Sequence, residues 1–334
     1  MRNHGIGALR VSKSIRIHRT GGPDVLQWED VTLPVPKEGE VLVRHTAIGV
    51  NYIDTYHRSG LYPLALPSGL GLEAAGVVEA IGPGVAHVKV GDRVAYAGGP
   101  AGAYAEARVM PAHPLVKISD TVSDDEAASI LLQGMTAQYL IRRTYPVKAG
   151  DTVLWHAAAG GVGLIACQWL NALGVNVIGT VGSEEKAAIA KAHGCSHTIL
   201  YRKEDVPARV HEITKGVGVP VVFDSVGKDT WDMSLSCLRP FGLMVSFGNA
   251  SGAVPPIDLA QLAGKGSLFV TRPILATYTA KRSDLEATAR EVFRAVESEQ
   301  IKVIIGQTYP LRDAAKAHED LQARRTVGSS LLRP

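Results

Sequence analysis

The 334-residue sequence predicts an α/β fold in which a six-stranded parallel-sheet domain is inserted in a β-rich domain. Two observations support this prediction. Apolar strand-like segments alternate with amphipathic helix-like segments from residue 151 to residue 273, which implies right-handed crossovers and a parallel sheet covered on both faces. Residues 14 to 130 instead contain short strand-like segments separated by glycine turns, a pattern typical of a compact barrel-like domain.

The β-rich part is predicted from strand candidates that read IRIHR, EVLVRHTAIGV, GVVEAIG, DRVAYAG and AYAEARVM. The opening residues 1–13 are polar and few, so we expect a loose extension rather than a signal peptide or a membrane span. Past residue 274 the pattern predicts a helix at about 283 to 298, a strand in IKVIIGQTYP, a helix containing DAAKAHEDLQA and a final strand in GSSLLRP.

The parallel sheet is predicted from six apolar runs, at about residues 152 to 156, 175 to 181, 197 to 201, 219 to 224, 242 to 247 and 268 to 272. Three of the helical segments between them end at Gly174, Gly194 and Gly216, where glycine suits a C-terminal cap. The predicted division of the chain is residues 132–273 as the parallel-sheet domain, and residues 1–131 and 274–334 as the β-rich domain. A cleft between two such domains is the usual place for a small-molecule site.

A glycine-rich turn follows the first of these strands, where residues 151–163 read DTVLWHAAAGGVG. Gly160, Gly161 and Gly163 let the backbone approach a ligand, and the N–H groups and positive dipole end of the next helix attract phosphate. Ala158 stands where the usual G-x-G-x-x-G pattern has its first glycine. The turn alone fits a packing role equally well, but its place after the first of six strands favours a dinucleotide-binding Rossmann domain.

The end of the second strand indicates which nicotinamide cofactor is bound, because NAD enzymes carry an acidic residue there for the ribose hydroxyls. Val181 occupies that place, whereas Ser183 and Lys186 can donate hydrogen bonds and positive charge to a 2′-phosphate, which favours NADPH. A one-turn shift of register would bring Glu184 or Glu185 closer, although the helix dipole explains both equally well.

Composition argues against several classes of partner. The net charge is +3, from 35 basic and 32 acidic residues, which is too small to indicate a polyanion, and no basic stripe predicts nucleic acid. The three cysteines, Cys167, Cys195 and Cys237, show no disulfide or zinc spacing and suit a reducing cytoplasm.

Several stretches together resemble one family, from residue 21 to the C-terminal GSSLLRP. They read NYIDTYHRSGLYP, LPSGLGLEAAGVV, HAAAGGVGLIACQWLNALG, FDSVGKDTW, GLMVSFGNASG and GSLFVTRP. In these residues the chain is similar to the quinone oxidoreductases of the ζ-crystallin-like, zinc-free branch of the medium-chain dehydrogenase/reductase superfamily. The resemblance implies a GroES-like catalytic domain around the Rossmann domain, NADPH as cofactor, and a homodimer. Pairing of the sixth Rossmann strand, LFVTRP, across two subunits is the expected dimer contact.

The positions that hold catalytic zinc in metal-dependent members of the superfamily correspond here to Asn51 and Leu72, and neither is a good zinc ligand. We therefore expect no metal, and hydride donation to an acceptor that is already electron-poor. The protein then orients the acceptor, excludes water and donates hydrogen bonds to developing oxyanion charge. Asn51, Tyr52 and Tyr56 are the predicted catalytic residues, although the tyrosines also fit a role in packing the cleft wall.

The resemblance also implies a set of residues that line the cofactor. They are Tyr52, Ile53, Asp54, Thr55, Tyr56, Tyr139, Gly160, Gly161, Val162, Gly163, Gly182, Ser183, Lys186, Tyr201, Ser225, Phe247, Gly248, Asn249, Ala250, Val270, Thr271, Arg272 and Arg324. Several of them follow predicted strands, and ligands of open α/β sheets bind beyond the carboxyl ends of the strands.

The function that the resemblance implies is that of an NADPH:quinone oxidoreductase acting on a soluble quinone in the cleft between the domains. Two alternatives stay open, because fold does not fix substrate. One is an NADPH-dependent reductase of an activated alkene, such as an enal, an enone or an enoyl thioester. The other is a binding or structural protein that retains NADPH without turnover.

Overall fold

The computed structural model describes residues 10–334, and residues 1–9 lie outside the described part of the chain. The first elements are β1 (Arg10–Ile17), β2 (Gln27–Leu33), β3 (Glu40–Val50), α1 (Tyr52–Ser59), β4 (Ser68–Gly69), β5 (Glu73–Ile81), β6 (Arg93–Ala97), β7 (Ala107–Pro111), β8 (Val116–Lys117) and α2 (Asp124–Tyr139). A short 3-10 helix, Pro23–Val25, precedes β2, and a π-helical turn, Leu140–Thr144, continues α2.

Strands and helices then alternate. They are β9 (Thr152–Trp155), α3 (Gly161–Ala172), β10 (Asn176–Val181), α4 (Glu184–Ala192), β11 (His197–Leu200), α5 (Val206–Ile213), β12 (Val219–Asp224), α6 (Trp231–Cys237), β13 (Leu238–Ser246), α7 (Ala260–Gly264), β14 (Phe269–Thr271), α8 (Leu275–Tyr278) and α9 (Arg282–Glu297). The chain ends with β15 (Ile305–Pro310), a 3-10 turn at Leu311–Asp313, α10 (Ala314–Gln322) and β16 (Ser329–Arg333). No helix among the described residues is long and apolar enough to cross a membrane.

Contacts divide the chain into two compact units. The first unit contains the described residues up to Leu132 together with Gln307–Thr326 and Ser330–Pro334, and the second contains Gln133–Gly306 and Val327–Ser329. The second unit therefore continues beyond residue 273, because α9 belongs to it by its contacts. The assignment of residues 132–273 as the cofactor-binding domain stays a prediction.

The second unit is built on a six-stranded sheet in the order β11-β10-β9-β12-β13-β14, and each neighbouring pair is parallel. This is the strand order of a doubly wound dinucleotide fold. The predicted α/β fold is thus confirmed, and each of the six predicted runs falls on one strand. Gly174, Gly194 and Gly216 have φ of +73°, +91° and +85° after their helices, which confirms them as caps that an L-residue would strain. One boundary differs, since β13 begins at Leu238, which pairs with Val219 across a register shift.

The first unit contains two sheets with antiparallel pairs. One has the order β2-β1-β4, and the other has the order β15-β16-β3-β5-β6-β8, with β7 also paired to β3. Buried apolar side chains from both form one cluster, which includes Ile15, Val41, Ile48, Leu70 and Val94. The pairing of β3 with β5 places Gly49 opposite Glu73, which matters for the site below.

The expectation of a loose extension over residues 1–13 is wrong for residues 10–13, which belong to β1. They are held because Arg10 to Lys13 pair with Leu33 to Asp30 of β2, and because the buried Ser12 hydroxyl accepts a 3.0 Å hydrogen bond from the N–H of Ala107. The rest of that expectation concerns residues outside the described ones. The strand predicted in IKVIIGQTYP begins only at Ile305.

Candidate functional site

The glycine turn joins β9 to α3 in the second unit. The chain leaves β9 at Trp155, passes Ala157 with φ of +55°, and reaches Gly160, the residue before the first helical residue. A Cβ atom on Gly163 would lie 2.4 Å from the carbonyl oxygen of Ala157 and 2.7 Å from that of Ala158, so the turn accepts only glycine there. The first N–H groups of a helix have no carbonyl partner within it, so this helix start presents donors beyond the carboxyl end of β9.

A buried histidine, His156, directly follows β9. His156 Nε2 lies 3.0 Å from Ser234 Oγ, and that hydroxyl donates to Asp224 Oδ2 at 2.7 Å. His156 Nδ1 lies 2.9 Å from Thr180 Oγ1, and burial lowers the pKa of the imidazole, which keeps it neutral. Since the Ser234 proton goes to Asp224, Nε2 donates and Nδ1 accepts. These hydrogen bonds link the end of β9, β10 and β12 to α6. The sequence analysis did not single out this network.

The turn after β10 carries the residues predicted to select the cofactor. Val181 is buried at the end of the strand, so no carboxylate occupies that place. Ser183 is the N-cap of α4, and its hydroxyl accepts from the backbone N–H of Lys186 at 3.3 Å. A Cβ atom on Gly182 would lie 3.0 Å from the hydroxyl of Tyr201, which follows β11. The structure thus brings Gly182, Ser183, Lys186 and Tyr201 to one place.

Several other predicted residues of the second unit lie at the carboxyl ends of β12, β13 and β14. A Cβ atom on Gly248 would lie 2.4 Å from the carbonyl oxygen of Ser225, so these two turns touch. Arg272 donates from Nη1 to the carbonyl of Ser246 at 2.7 Å. Also at these strand ends are Phe247, Asn249, Ala250, Val270 and Thr271. The same edge of the sheet therefore collects residues from six strands.

Tyr139 lies at the end of α2, stacked on a tyrosine that sequence reasoning missed. Its ring centre is 4.4 Å from that of Tyr278, with an interplanar angle of 13°. The guanidinium of Arg143 lies 5.0 Å from the Tyr278 ring, and the Tyr278 hydroxyl is 2.9 Å from Thr144 Oγ1. Burial raises the pKa of Tyr139 well above its usual range, so its hydroxyl stays protonated.

In the first unit, the start of α1 holds the predicted catalytic asparagine. Asn51 is the N-cap, and it forms a capping box with Asp54: the Asn51 side chain accepts from the Asp54 N–H, and Asp54 Oδ2 accepts from the Asn51 N–H at 2.9 Å. Asn51 Nδ2 also donates to Glu73 Oε2 at 2.6 Å. All three side chains are buried, with Asp54 and Glu73 both 0% exposed.

Glu73 is a functional candidate that the sequence analysis missed. Its Oε1 accepts from the backbone N–H of Leu132 at 2.7 Å, and burial raises the pKa of its carboxyl to about 8. A Cβ atom on Gly49 would lie 2.4 Å from Glu73 Oε2, so the carboxyl occupies space that only glycine leaves. The available signal was an acidic residue inside the apolar run GLEAAGVV.

Asp54 belongs to a second buried network of side-chain hydrogen bonds. Tyr104 donates to Asp54 Oδ2 at 2.8 Å, and the Tyr104 oxygen lies 3.0 Å from His318 Nε2. His318 Nδ1 is 3.1 Å from Arg58 Nη1, so Nδ1 accepts and Nε2 donates. Burial raises the pKa of Asp54 to about 7 and lowers that of His318 to about 3. Asp54 Oδ1 is buried and has no hydrogen-bond partner among the described residues.

The tyrosines of α1 form a ring cluster. Tyr52 and Tyr56 have ring centres 5.6 Å apart, and Tyr56 and Tyr62 have centres 5.0 Å apart. Burial raises the pKa of Tyr52, and the positive charge of Arg324, another predicted residue, opposes that rise. Thr55 donates to the Tyr52 carbonyl at 2.7 Å, a contact within the helix, and Ile53 lies in the same first turn.

Asn51 and Leu72 stand at the positions that hold zinc in metal-dependent members of the superfamily. Their side chains end in an amide and an alkyl group. The amide nitrogen of Asn51 is already a hydrogen-bond donor to Glu73. Across the described residues, no group of three or more His, Cys, Asp or Glu side chains could hold a metal ion.

A parallel sheet in this strand order, with a glycine turn after its first strand, defines a dinucleotide-binding α/β protein. Residues 37–120 match the alcohol dehydrogenase GroES-like domain, and residues 161–292 match the family described as zinc-binding dehydrogenase. The chain belongs to the quinone oxidoreductase family of the medium-chain dehydrogenase/reductase superfamily. The predicted resemblance is thereby confirmed.

Three relatives illustrate the membership. A quinone oxidoreductase of Pseudomonas aeruginosa is 53% identical over 97% of this chain and 100% of its own length. The crystal structure of Escherichia coli quinone oxidoreductase complexed with NADPH has a TM-score of 0.95 and 51% identity, covering 96% of this chain and all of that one. A 2-haloacrylate reductase of a Burkholderia species is 47% identical over 95% of this chain and 98% of its own length.

Proposed function

We propose that this chain is an NADPH:quinone oxidoreductase that works without zinc and passes reducing equivalents from NADPH to a soluble quinone. The observation that carries the cofactor choice is the turn after β10, where Val181 is buried and Ser183 and Lys186 follow it at the start of α4. The predictions of an oxidoreductase and of NADPH as its cofactor agree with the relatives, one of which is complexed with NADPH.

The second unit holds the cofactor in this proposal. The glycine turn fits a pyrophosphate because no side chain projects from Gly160, Gly161 or Gly163 and because the start of α3 offers N–H donors. Lys186 supplies positive charge for the 2′-phosphate, Tyr201 covers the same turn, and Arg272 is held at the end of β14 by the Ser246 carbonyl. The bound cofactor supplies the hydride.

The first unit orients the acceptor in this proposal. An acceptor carbonyl gains negative charge as it is reduced, and a positioned N–H or O–H donor stabilises that charge. Asn51 and Tyr52 are the donors we assign, with Tyr56 packing beside Tyr52 at 5.6 Å between ring centres. Burial keeps the Tyr52 hydroxyl protonated, because it raises the pKa of that group. No metal is assigned, since Asn51 and Leu72 offer it no suitable ligands.

Steady-state oxidation of NADPH and NADH with a panel of quinones and enones tests the proposal. We expect turnover with quinones and a higher kcat/KM for NADPH than for NADH. Absence of turnover with every quinone, in protein that binds NADPH, would overturn the quinone assignment.

Reduction of an activated alkene is the second candidate, because the 2-haloacrylate reductase is 47% identical over nearly the whole chain. Alkene reduction needs the same hydride source and the same stabilisation of charge on a conjugated carbonyl. A kcat/KM for an enone or a haloacrylate above that for every quinone would favour it. Binding of NADPH with no turnover in either series would instead favour the non-catalytic alternative.

The proposal includes a homodimer and a cytoplasmic location. Strand β14 is the last strand of its sheet, and Phe269 and Val270 on it are 60% and 38% exposed, which suits pairing with a second copy. A monomer by light scattering at micromolar concentration would contradict the dimer. Cys167, Cys195 and Cys237 are buried free thiols, in keeping with a reducing compartment.

A further inference from the structure

We propose that Glu73 is a positioning residue for the acceptor reaction, because its buried carboxyl fixes the orientation of the Asn51 side-chain amide. The inference rests on the proposed function, in which the amide of Asn51 faces the acceptor. Glu73 lies outside the residues that the sequence singled out, and it acts through Asn51 rather than on the acceptor itself.

The two ends of the Asn51 amide are held by groups of opposite character. Nδ2 donates to Glu73 Oε2 at 2.6 Å, and the side-chain oxygen accepts from the backbone N–H of Asp54. Turning the amide by half a rotation would place its oxygen against the Glu73 carboxyl and its NH2 against the Asp54 N–H. The NH2 would then face a second donor in a buried site, and Nδ2 would lose its acceptor on Glu73, so a single orientation is selected.

Glu73 is itself fixed in place. Its Oε1 accepts from the N–H of Leu132 at 2.7 Å, while its Oε2 faces Asn51. The carboxyl fits beside β3 because the residue opposite it is Gly49, whose Cβ atom would lie 2.4 Å from Oε2 and 2.3 Å from the carbonyl of Ala128. The cross-strand glycine therefore makes the space in which the carboxyl holds the amide.

A carboxyl is an expensive group to bury, and the raised pKa of Glu73, about 8, reflects that cost. Both oxygens of a carboxyl, protonated or ionised, can accept a hydrogen bond. A glutamine would fill nearly the same volume. It could not replace the contacts, however, because only one end of its amide accepts hydrogen bonds. Either the Leu132 N–H or the Asn51 Nδ2 would then face an NH2 group. The site needs two acceptors, one for the Leu132 N–H and one for Asn51 Nδ2, and Glu73 supplies both. The second of these contacts fixes the orientation of the Asn51 amide.

A double-mutant cycle tests this in the full-length protein, with Glu73→Gln, Asn51→Ala and the two combined. We expect Glu73→Gln to lower the kcat for quinone about 10-fold and to leave the Kd of NADPH unchanged. The loss should be smaller than the roughly 100- to 1,000-fold cost of removing such a donor, because the donor is displaced and not deleted. In the Asn51→Ala background, Glu73→Gln should have no further effect on kcat. An equal fold-loss in both backgrounds, or no loss when Asn51 is present, overturns the inference.

Two further measurements separate positioning from general damage. Glu79→Gln is the matched control, because it removes a carboxyl from the same strand β5 that pairs with Arg44 at 2.8 Å instead of with Asn51. It should leave kcat unchanged. A crystal structure of Glu73→Gln, at a resolution that distinguishes amide nitrogen from oxygen, should show the Asn51 amide turned or displaced, and an amide left as it is overturns the inference. This structural result does not depend on turnover, so it stands even if the wild type reduces no quinone and the proposed function fails.

Discussion

Two junctions in this molecule each join a buried strand to the helix that follows it. The two helices differ in how the N–H groups of their first turn are used. Where β9 meets α3, the residue before the helix is Gly160, and no side chain caps the helix among the described residues. Where β3 meets α1, that residue is Asn51, and a capping box with Asp54 occupies the first turn. In the proposed function the first junction leaves its donors for the cofactor, whereas the second uses side chains to satisfy its own backbone.

The difference shows where each junction keeps its function. At α3 the groups that we propose to bind the cofactor are backbone N–H groups, and glycines keep side chains away from them. At α1 they are side chains, and the buried carboxyls of Asp54 and Glu73 hold the amide of Asn51 from two sides. One junction therefore depends on close packing around glycine, and the other depends on hydrogen bonds and protonation.

The largest effect should come from closing the α3 junction. In Gly163→Ala the added methyl meets the carbonyl oxygens of Ala157 and Ala158, which belong to the backbone and cannot rotate away. We expect the Kd of NADPH to rise about 10- to 100-fold, since overpacking of this kind costs about 1–3 kcal/mol. Fluorescence titration measures it.

The matched control is Gly264→Ala, in α7 of the same unit, where an added Cβ has nothing within 4 Å. It should leave the Kd unchanged. Equal affinity for NADPH in wild type and Gly163→Ala would remove the distinction between the two junctions, because the glycine would then serve packing alone.

A smaller effect should separate backbone binding of the pyrophosphate from side-chain binding of the 2′-phosphate. Lys186→Ala removes a positive charge from the first turn of α4 without changing the glycine turn. We expect the Kd of NADPH to rise about 10-fold and that of NADH to change little, because a charge-assisted contact contributes about 1.5 kcal/mol. Lys191→Ala, in the last turn of the same helix, is the control. If both cofactors weaken equally, the phosphate assignment is wrong.

The α3 junction could be predicted from the sequence because its signals are local. The strand, the glycines and the helix lie within residues 151–172, and the six strands around it are short apolar runs that the chain order alone identifies. The three predicted helix caps also depend on local conformation, and their positive φ angles confirm them.

The α1 junction could be predicted only in part. The sequence indicated Asn51 and its neighbours, but Glu73 is 22 positions away and meets Asn51 only because β3 and β5 pair in one register. His318 is 214 positions from Tyr104, its partner in the network that reaches Asp54. Periodicity reports which residues are buried, and it does not report which polar groups meet once they are buried.

The smallest predicted effect concerns the dependence of stability on pH, which should arise at the α1 junction. Burial raises the pKa of Glu73 to about 8 and that of Asp54 to about 7, so the folded protein binds these protons more tightly than the unfolded chain does. Their contribution to stability is complete below the pKa of the unfolded carboxyls and is lost as the pH rises through the folded values. His45 and His318 act in the opposite sense, because burial lowers their pKa to about 4 and about 3, but their effect ends near pH 6.5.

Between about pH 6.5 and pH 8 the carboxyls therefore dominate, and the free energy of unfolding should fall with rising pH by an amount on the order of 1 kcal/mol. Urea denaturation at a series of pH values measures it. Glu73→Gln should flatten the slope, and Glu79→Gln, on the same strand, should keep it. A wild-type stability that stays level or rises over this interval would mean that both carboxyls are already ionised in the folded protein. An ionised Glu73 carboxylate would then hold the Asn51 amide at neutral pH. The two junctions would still differ in the groups that donate hydrogen bonds, but the α1 junction would no longer make stability depend on pH in this interval.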